Sequence, residues 1–74
     1  MAKVILESWR EGLEKISLTK LQMDKLGMSL KESKLNVDAL LEDERIILEI
    51  DNEDLVREFL NEAEKIGVNC KVMW

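Results

Sequence analysis

The chain has 74 residues, of which 46% are hydrophobic and 36% are charged, and its formal net charge at pH 7 is −5. A chain of this size buries only about 60% of its unfolded surface, so we expect one domain, residues 1–74, without room for a large substrate pocket. The acidic balance disfavours direct binding to nucleic acid, and no apolar run approaches the roughly 20 residues that span a membrane.

The hydrophobic pattern begins with a strand and a helix. Residues 3–8 alternate as a first strand, and the alternation places Ser8 on the same side as the apolar positions. Ser17 is a candidate cap for a first helix over about residues 18–26. Gly27 suits the position that follows the end of that helix.

A second helix and a second strand follow. Ser29 and Glu32 have the spacing of a capping box, which predicts a helix from residue 30 to about residue 41. An acidic turn over residues 42–44 then precedes an alternating strand over residues 45–50.

The hydrophobic pattern in the last third of the chain predicts a helix followed by a strand. Asp51 or Asn52 caps the helix, and Gly67 closes it. Its apolar stripe consists of Leu55, Val56, Phe59, Leu60, Ala63 and Ile66. The final strand, residues 68–74, turns Cys70 and Trp74 to one side together with its valines.

The order β-α-α-β-α-β predicts an α+β fold, a two-layer sandwich with three helices on one face of a three-stranded antiparallel sheet. A right-handed crossover through the third helix leaves room for the first strand between the other two. The opposite sheet face would then carry Ile5, Ile47 and Met73 among charged residues. That face is either solvated or paired with a second copy.

The charges are unevenly distributed. Residues 15–37 hold five lysines and two acids, a local net charge of +3, so the rest of the chain carries −8. Such a segment suits a docking surface for an acidic partner. The alternative is a solvated helix face on which Lys31 and Lys34 pair with Glu32 or Asp38 along the helix.

Residues for catalysis or metal binding are scarce. The chain has no histidine or tyrosine and one cysteine, so the usual pairs of nucleophile and general base cannot be assembled. We therefore expect a protein that is not an enzyme and that holds no cofactor or metal.

Cys70 is predicted to be a thiol packed in the core. A lone cysteine without a signal peptide indicates a cytoplasmic protein. Trp9 and Trp74 either cover the ends of the core or anchor an interface.

Three segments resemble a known family. They are Val4-Ile5-Leu6, Lys15-Ile16-Ser17-Leu18-Thr19-Lys20 and Gly27-Met28-Ser29-Leu30-Lys31-Glu32-Ser33-Lys34. With them the chain resembles, over nearly its whole length, the C-terminal domain of the bacterial large-subunit ribosomal stalk protein. In that family the lysine-bearing helix pair docks translational GTPases. The resemblance implies partner-contact residues at Lys15, Ile16, Thr19, Lys20, Leu30 and Lys34. The segment that anchors the stalk protein to the ribosome has no counterpart here, which favours a standalone divergent copy.

A more distant resemblance is to the adaptor of the Clp protease, which has the same element order. That family has an Asn-Asp-Asp turn and a histidine, whereas the turn here is Glu7-Ser8-Trp9-Arg10. From the lysine-rich segment and the resemblance to the stalk-protein domain, the expected function is a non-enzymatic interaction domain that docks an acidic protein partner, for example a GTPase or a ribosome-associated factor. The alternative is a self-associating domain that uses the open sheet face, so we expect a monomer or a weak homodimer.

Overall fold

A computed structural model describes residues 2–74. Its elements are β1 (Ala2–Trp9), α1 (Lys15–Leu26), α2 (Leu30–Leu41), β2 (Ile46–Ile50), α3 (Glu53–Lys65) and β3 (Val68–Met73). The strand order is β2-β1-β3, and β1 is antiparallel to both neighbours. The predicted α+β class, the element order and the antiparallel sheet with the first strand in the centre are confirmed.

The hydrophobic core lies between the sheet and the helices. Val4 and Leu6 of β1 have no exposed surface, and neither do Leu18 of α1, Leu40 of α2 and Phe59 of α3. Burying one such side chain stabilises the fold by about 1.5–3 kcal/mol. Because every helix contributes a fully buried side chain, the three helices depend on one shared core.

The second and third helices begin where their caps predict. The Ser29 hydroxyl accepts a hydrogen bond from the backbone N–H of Glu32 at 3.1 Å, and α2 spans the predicted residues. The Asn52 side chain accepts one from the N–H of Leu55, also at 3.1 Å, so Asn52 caps α3. Local hydrogen bonding fixes both of these helix starts.

The first helix begins one turn before the predicted start. Its N-cap residue is Glu14, whose side chain makes no capping hydrogen bond, and Ser17 lies inside the first turn. The backbone N–H of Glu14 instead donates to the carbonyl of Ile66 at 3.0 Å. The start of α1 is therefore held by a contact with the end of α3. A capping pattern in the local sequence does not show such a contact, so the predicted start was wrong.

A β-bulge changes the direction of the side chains at the end of β1. Leu6 pairs with Cys70, but Ser8 pairs with Asn69, so one extra residue, Glu7, lies between the two pairs. The Asn69 amide donates to the Ser8 hydroxyl at 2.8 Å, which places both side chains on the outer face of the sheet. The prediction that Ser8 faces the core is wrong, since a bulge shifts the alternation by one position.

The two tryptophans lie at the ends of the sheet. Trp9 pairs with the buried Val68 and is 40% exposed, so it partly covers that end of the core. Trp74 follows the last residue of β3 and is 68% exposed. Although β3 ends one residue earlier than predicted, Trp74 lines a shallow depression with the buried Ala2 and Ile50, so it borders the other end of the core.

The turn between α2 and β2 contains an unusual backbone conformation. Asp43 has a φ of 64°, the only positive φ of a residue other than glycine within residues 2–74. Side chains with a Cβ disfavour this left-handed conformation by roughly 1–2 kcal/mol, although aspartate tolerates it better than most. The turn therefore stores a small amount of strain.

Candidate protein-docking groove

The helices α1 and α2 are joined by a buried polar contact. Gln22 has no exposed surface, and its amide nitrogen lies 3.3 Å from the carbonyl of Leu18 and 3.2 Å from that of Ser33. Its amide oxygen accepts a hydrogen bond from the Asn36 side chain at 2.8 Å. Buried amides stabilise a structure only when their hydrogen bonds are made, and these contacts fix one helix against the other.

Ser33 belongs to the same buried region. Its backbone carbonyl accepts from the Gln22 amide, and its side chain is fully buried. Its hydroxyl is the one buried side-chain polar atom without a hydrogen-bond partner in residues 2–74. This polar contact was not predicted from the sequence, although Gln22 lies four residues after Leu18 and so shares its buried helix face.

A shallow groove of about 240 Å³ lies between the first part of α1 and the middle of α2. We call it the α1–α2 groove; its lining residues are Lys15, Ile16, Thr19, Lys34, Val37 and Asp38. Val37 is buried and forms an apolar floor, while Ile16 is 73% exposed at the rim. Of the six residues implied by the family resemblance, four therefore meet in one concave surface.

The other two residues lie outside the groove. Leu30 is one turn before Lys34 on the same face of α2, and it is 49% exposed. Lys20 lies on the other flank of α1, where it lines a separate depression together with Asp24 and Glu62. Leu30 therefore extends the groove along α2, whereas Lys20 belongs to the junction of α1 and α3.

The lysines of the helix pair are largely unpaired. Lys25 lies 3.3 Å from Glu58 of α3, and within residues 2–74 this is the only ion pair made by a lysine of residues 15–37. Lys31 and Lys34 therefore make no ion pair with Glu32 or Asp38 along their own helix, and both are exposed to solvent. Asp38 adds one carboxylate to the groove, so its lining carries both signs of charge.

Exposed apolar side chains accompany these charges. Ile16, Leu30 and Leu35 are all at least about half exposed on the helix pair, and Leu35, at 56%, was not singled out from the sequence. Met28 packs against the core instead and is only partly accessible. The helix pair thus combines free cations with exposed aliphatic side chains.

Cys70 has a thiol of low reactivity at neutral pH. Burial raises the pKa of its thiol to about 11, opposed by the nearby Arg10 guanidinium and reinforced by the carboxylates of Glu64 and Glu7. A thiol that stays protonated at neutral pH is a poor nucleophile and a poor metal ligand. In the described part of the chain, no group of three or more histidine, cysteine or acidic residues is placed to hold a metal ion.

None of the helices in residues 2–74 is long and apolar enough to cross a membrane.

The sequence matches no protein-family model, and neither a curated protein nor a solved structure matches the chain. The fold and the groove therefore define the class of this protein as a small α+β domain with a basic helix pair.

Proposed function

We propose that this chain is a small, non-enzymatic protein-interaction domain of the cytoplasm, and that it docks an acidic protein partner in the α1–α2 groove. The observation that carries the proposal is the groove itself, which has an apolar floor at Val37 and unpaired lysines on both helices. Lys15, Ile16, Thr19 and Lys34 form its centre, with Leu30 as an extension along α2.

The shape of the groove favours a protein surface over a small molecule. A cleft of about 240 Å³ is smaller than the roughly 300–1,000 Å³ of sites that enclose drug-sized ligands. Ile16 and Leu30 project beside it and would lose water on contact with an apolar partner residue. An aliphatic side chain of the partner would fill the groove while its carboxylates reach Lys15 and Lys34.

The charge distribution orients the encounter. The local charge of +3 on residues 15–37 opposes −8 on the rest of the chain, so the molecule has a strong electrostatic asymmetry. Complementary charge accelerates association and excludes wrong orientations more than it adds affinity. The resemblance to the stalk-protein domain makes translational GTPases and other ribosome-associated factors the first partners to test.

The test is a double charge reversal in the groove, Lys15→Glu with Lys34→Glu. Purified translational GTPases are titrated with the wild type and the variant in a binding assay, and both proteins are used for affinity capture from cytosol. We expect the double variant to bind at least about tenfold more weakly, because two cations would face the partner's acids as like charges.

A matched control reverses two exposed cations on α3, Arg57→Glu with Lys65→Glu, which changes the net charge by the same amount away from the groove and from the sheet. This variant should keep its affinity for the partner. Equal binding by the groove variant and the wild type, or equal loss in both double variants, would show that the α1–α2 groove is not the docking site.

A further inference from the structure

The outer sheet face, the side of the sheet away from the helices, is uncovered and has an apolar centre. Ile5 of β1 and Ile47 of β2 stand directly opposite each other in the strand register. Ile47 is 60% exposed, and Met73 on the far edge is 54% exposed. Lys71 stands opposite Ile5 on the β3 side and is also exposed. This surface is separate from the α1–α2 groove, which lies in the helical layer.

The charges around this centre are arranged with opposite signs at its two ends. On β1, Lys3 lies two residues before Ile5 and Glu7 lies two residues after it. On β2, Glu49 stands opposite Lys3. Arg45 lies one residue before β2, and extending the register by one pair places it beside Glu7. Within residues 2–74 none of these four side chains makes an ion pair.

This arrangement is complementary to itself under a two-fold rotation. A two-fold axis that crosses the strands through Ile5 and Ile47 places Lys3 over Glu7 of a second copy, and Glu49 over its Arg45. An axis that runs along β1 would instead place Lys3 over the same lysine and Glu7 over the same glutamate. Like charges brought together weaken an interface, so the charges exclude the axis along β1. The axis across the strands pairs opposite charges and also lets all three strands of each sheet take part.

We propose that the outer sheet face pairs with the same face of a second copy about this axis. The two sheets pack face to face about 10 Å apart with their strands within about 30° of alignment, as in other sheet sandwiches. Ile5 and Ile47 then form an apolar centre between two sets of ion pairs. Lys71 is in the same row and faces the same lysine of the second copy, but it lies at the open edge, where the two long side chains can turn apart into solvent.

The size of the face sets the strength of this association. Three strands about 4.8 Å apart and about six residues long at roughly 3.3 Å each cover on the order of 300 Å² of plane. A standard stable interface buries about 800 Å² on each partner, so this dimer is weak and depends on concentration. Its helical layers face outward, so both α1–α2 grooves stay open and the dimer is bivalent.

Sedimentation equilibrium of the full chain, from about 10 μM to about 1 mM, tests the proposal in a range suited to weak interfaces. The wild type should dimerise towards the upper end of the range. Lys3→Glu and Glu7→Lys should each weaken dimerisation about tenfold or more, because each places like charges opposite one another. The double variant Lys3→Glu with Glu7→Lys should recover it, since the opposite signs are restored.

Three results would overturn the proposal: a wild type that stays monomeric throughout, single variants that associate like the wild type, or a double variant that does not recover. Recovery in the double variant also separates this axis from one along β1, under which the swapped charges would still repel. Lys65→Glu, on α3, makes the same charge change away from the face and should leave dimerisation unchanged. Ile47→Ser removes the apolar centre without touching the buried core, and it should also abolish the dimer. Circular dichroism confirms that each variant is folded.

Discussion

Replacing Ser33 by alanine should stabilise the domain, although Ser33 lies in the buried contact between α1 and α2. Its side chain is fully buried and its hydroxyl has no hydrogen-bond partner in residues 2–74. In the unfolded chain that hydroxyl is hydrated, so folding strips it of water without replacing the lost bonds. Alanine keeps the Cβ and the close approach of the helices while removing the unsatisfied oxygen.

Three contributions give the expected magnitude. Relief of an unsatisfied buried hydroxyl is worth about 1–3 kcal/mol. Alanine is also preferred over serine in a helix interior by roughly 0.5 kcal/mol. Against these, the missing oxygen leaves a void of about 10 Å³, which costs only ~0.2 kcal/mol at about 24 cal/mol per Å³. We expect Ser33→Ala to raise the free energy of unfolding by about 1–3 kcal/mol. In a domain of this size that shifts Tm upward by about 4 °C or more.

Urea unfolding followed by far-ultraviolet circular dichroism is the assay. The helical signal is the better probe because Trp9 and Trp74 are 40% and 68% exposed, which limits the change in their fluorescence on unfolding. Ser29→Ala is the matched control on the same helix. It removes the hydroxyl that caps α2, so it should lower stability by about 1 kcal/mol.

The two serine variants should therefore differ in sign although the chemical change is identical. If Ser33→Ala destabilised the domain as Ser29→Ala does, the Ser33 hydroxyl would be hydrogen-bonded in the folded protein. Such a result would refute the prediction that burial of an unsatisfied Ser33 hydroxyl destabilises the domain. An unchanged stability would place the cost of burying this hydroxyl below the usual range and would also contradict the expected magnitude.

Two further predictions concern the turn after α2 and the cysteine. Asp43→Gly should raise stability by about 0.5–1 kcal/mol in thermal unfolding, since glycine adopts the φ of 64° without strain, and an unchanged or lower Tm would contradict this. Because burial raises the pKa of Cys70 from 9.0 to about 11, iodoacetamide at pH 9 should alkylate the folded chain about fiftyfold more slowly than the urea-unfolded chain. The neutral thiol's contribution to stability is full below pH 9 and is lost as the pH rises towards 11, so Cys70→Ala should flatten that part of the pH dependence. Similar alkylation rates in the two states would show that the thiol is not shielded.

The sequence predicted those parts of the fold that local hydrogen bonds and alternation determine. The capping box gave the bounds of α2, because the Ser29 hydroxyl bonds within its own turn. The start of α1 could not be predicted in the same way, since the N–H of Glu14 bonds to Ile66 across the chain. The bulge at Glu7 is likewise a property of how β1 meets β3.

The candidate site, too, was predicted only in part from the sequence. The family resemblance alone implied a contact set that includes Lys15, Ile16, Thr19 and Lys34, and these four line one groove. Lys20 shares the basic segment but faces α3, because its position on α1 is set by which side of the helix the core occupies. Charge content alone does not distinguish the two flanks of one helix.

The central place of β1 has a consequence for how the domain folds. Its pairs with β3 join residues far apart in the chain, from Trp9 and Val68, 59 positions apart, to Lys3 and Met73, 70 positions apart. Closing such long loops is entropically costly and slows folding. Until the last strand docks, one edge of the central strand stays open beside a core that is not yet covered. A partly folded chain at this stage would be prone to aggregation through that edge.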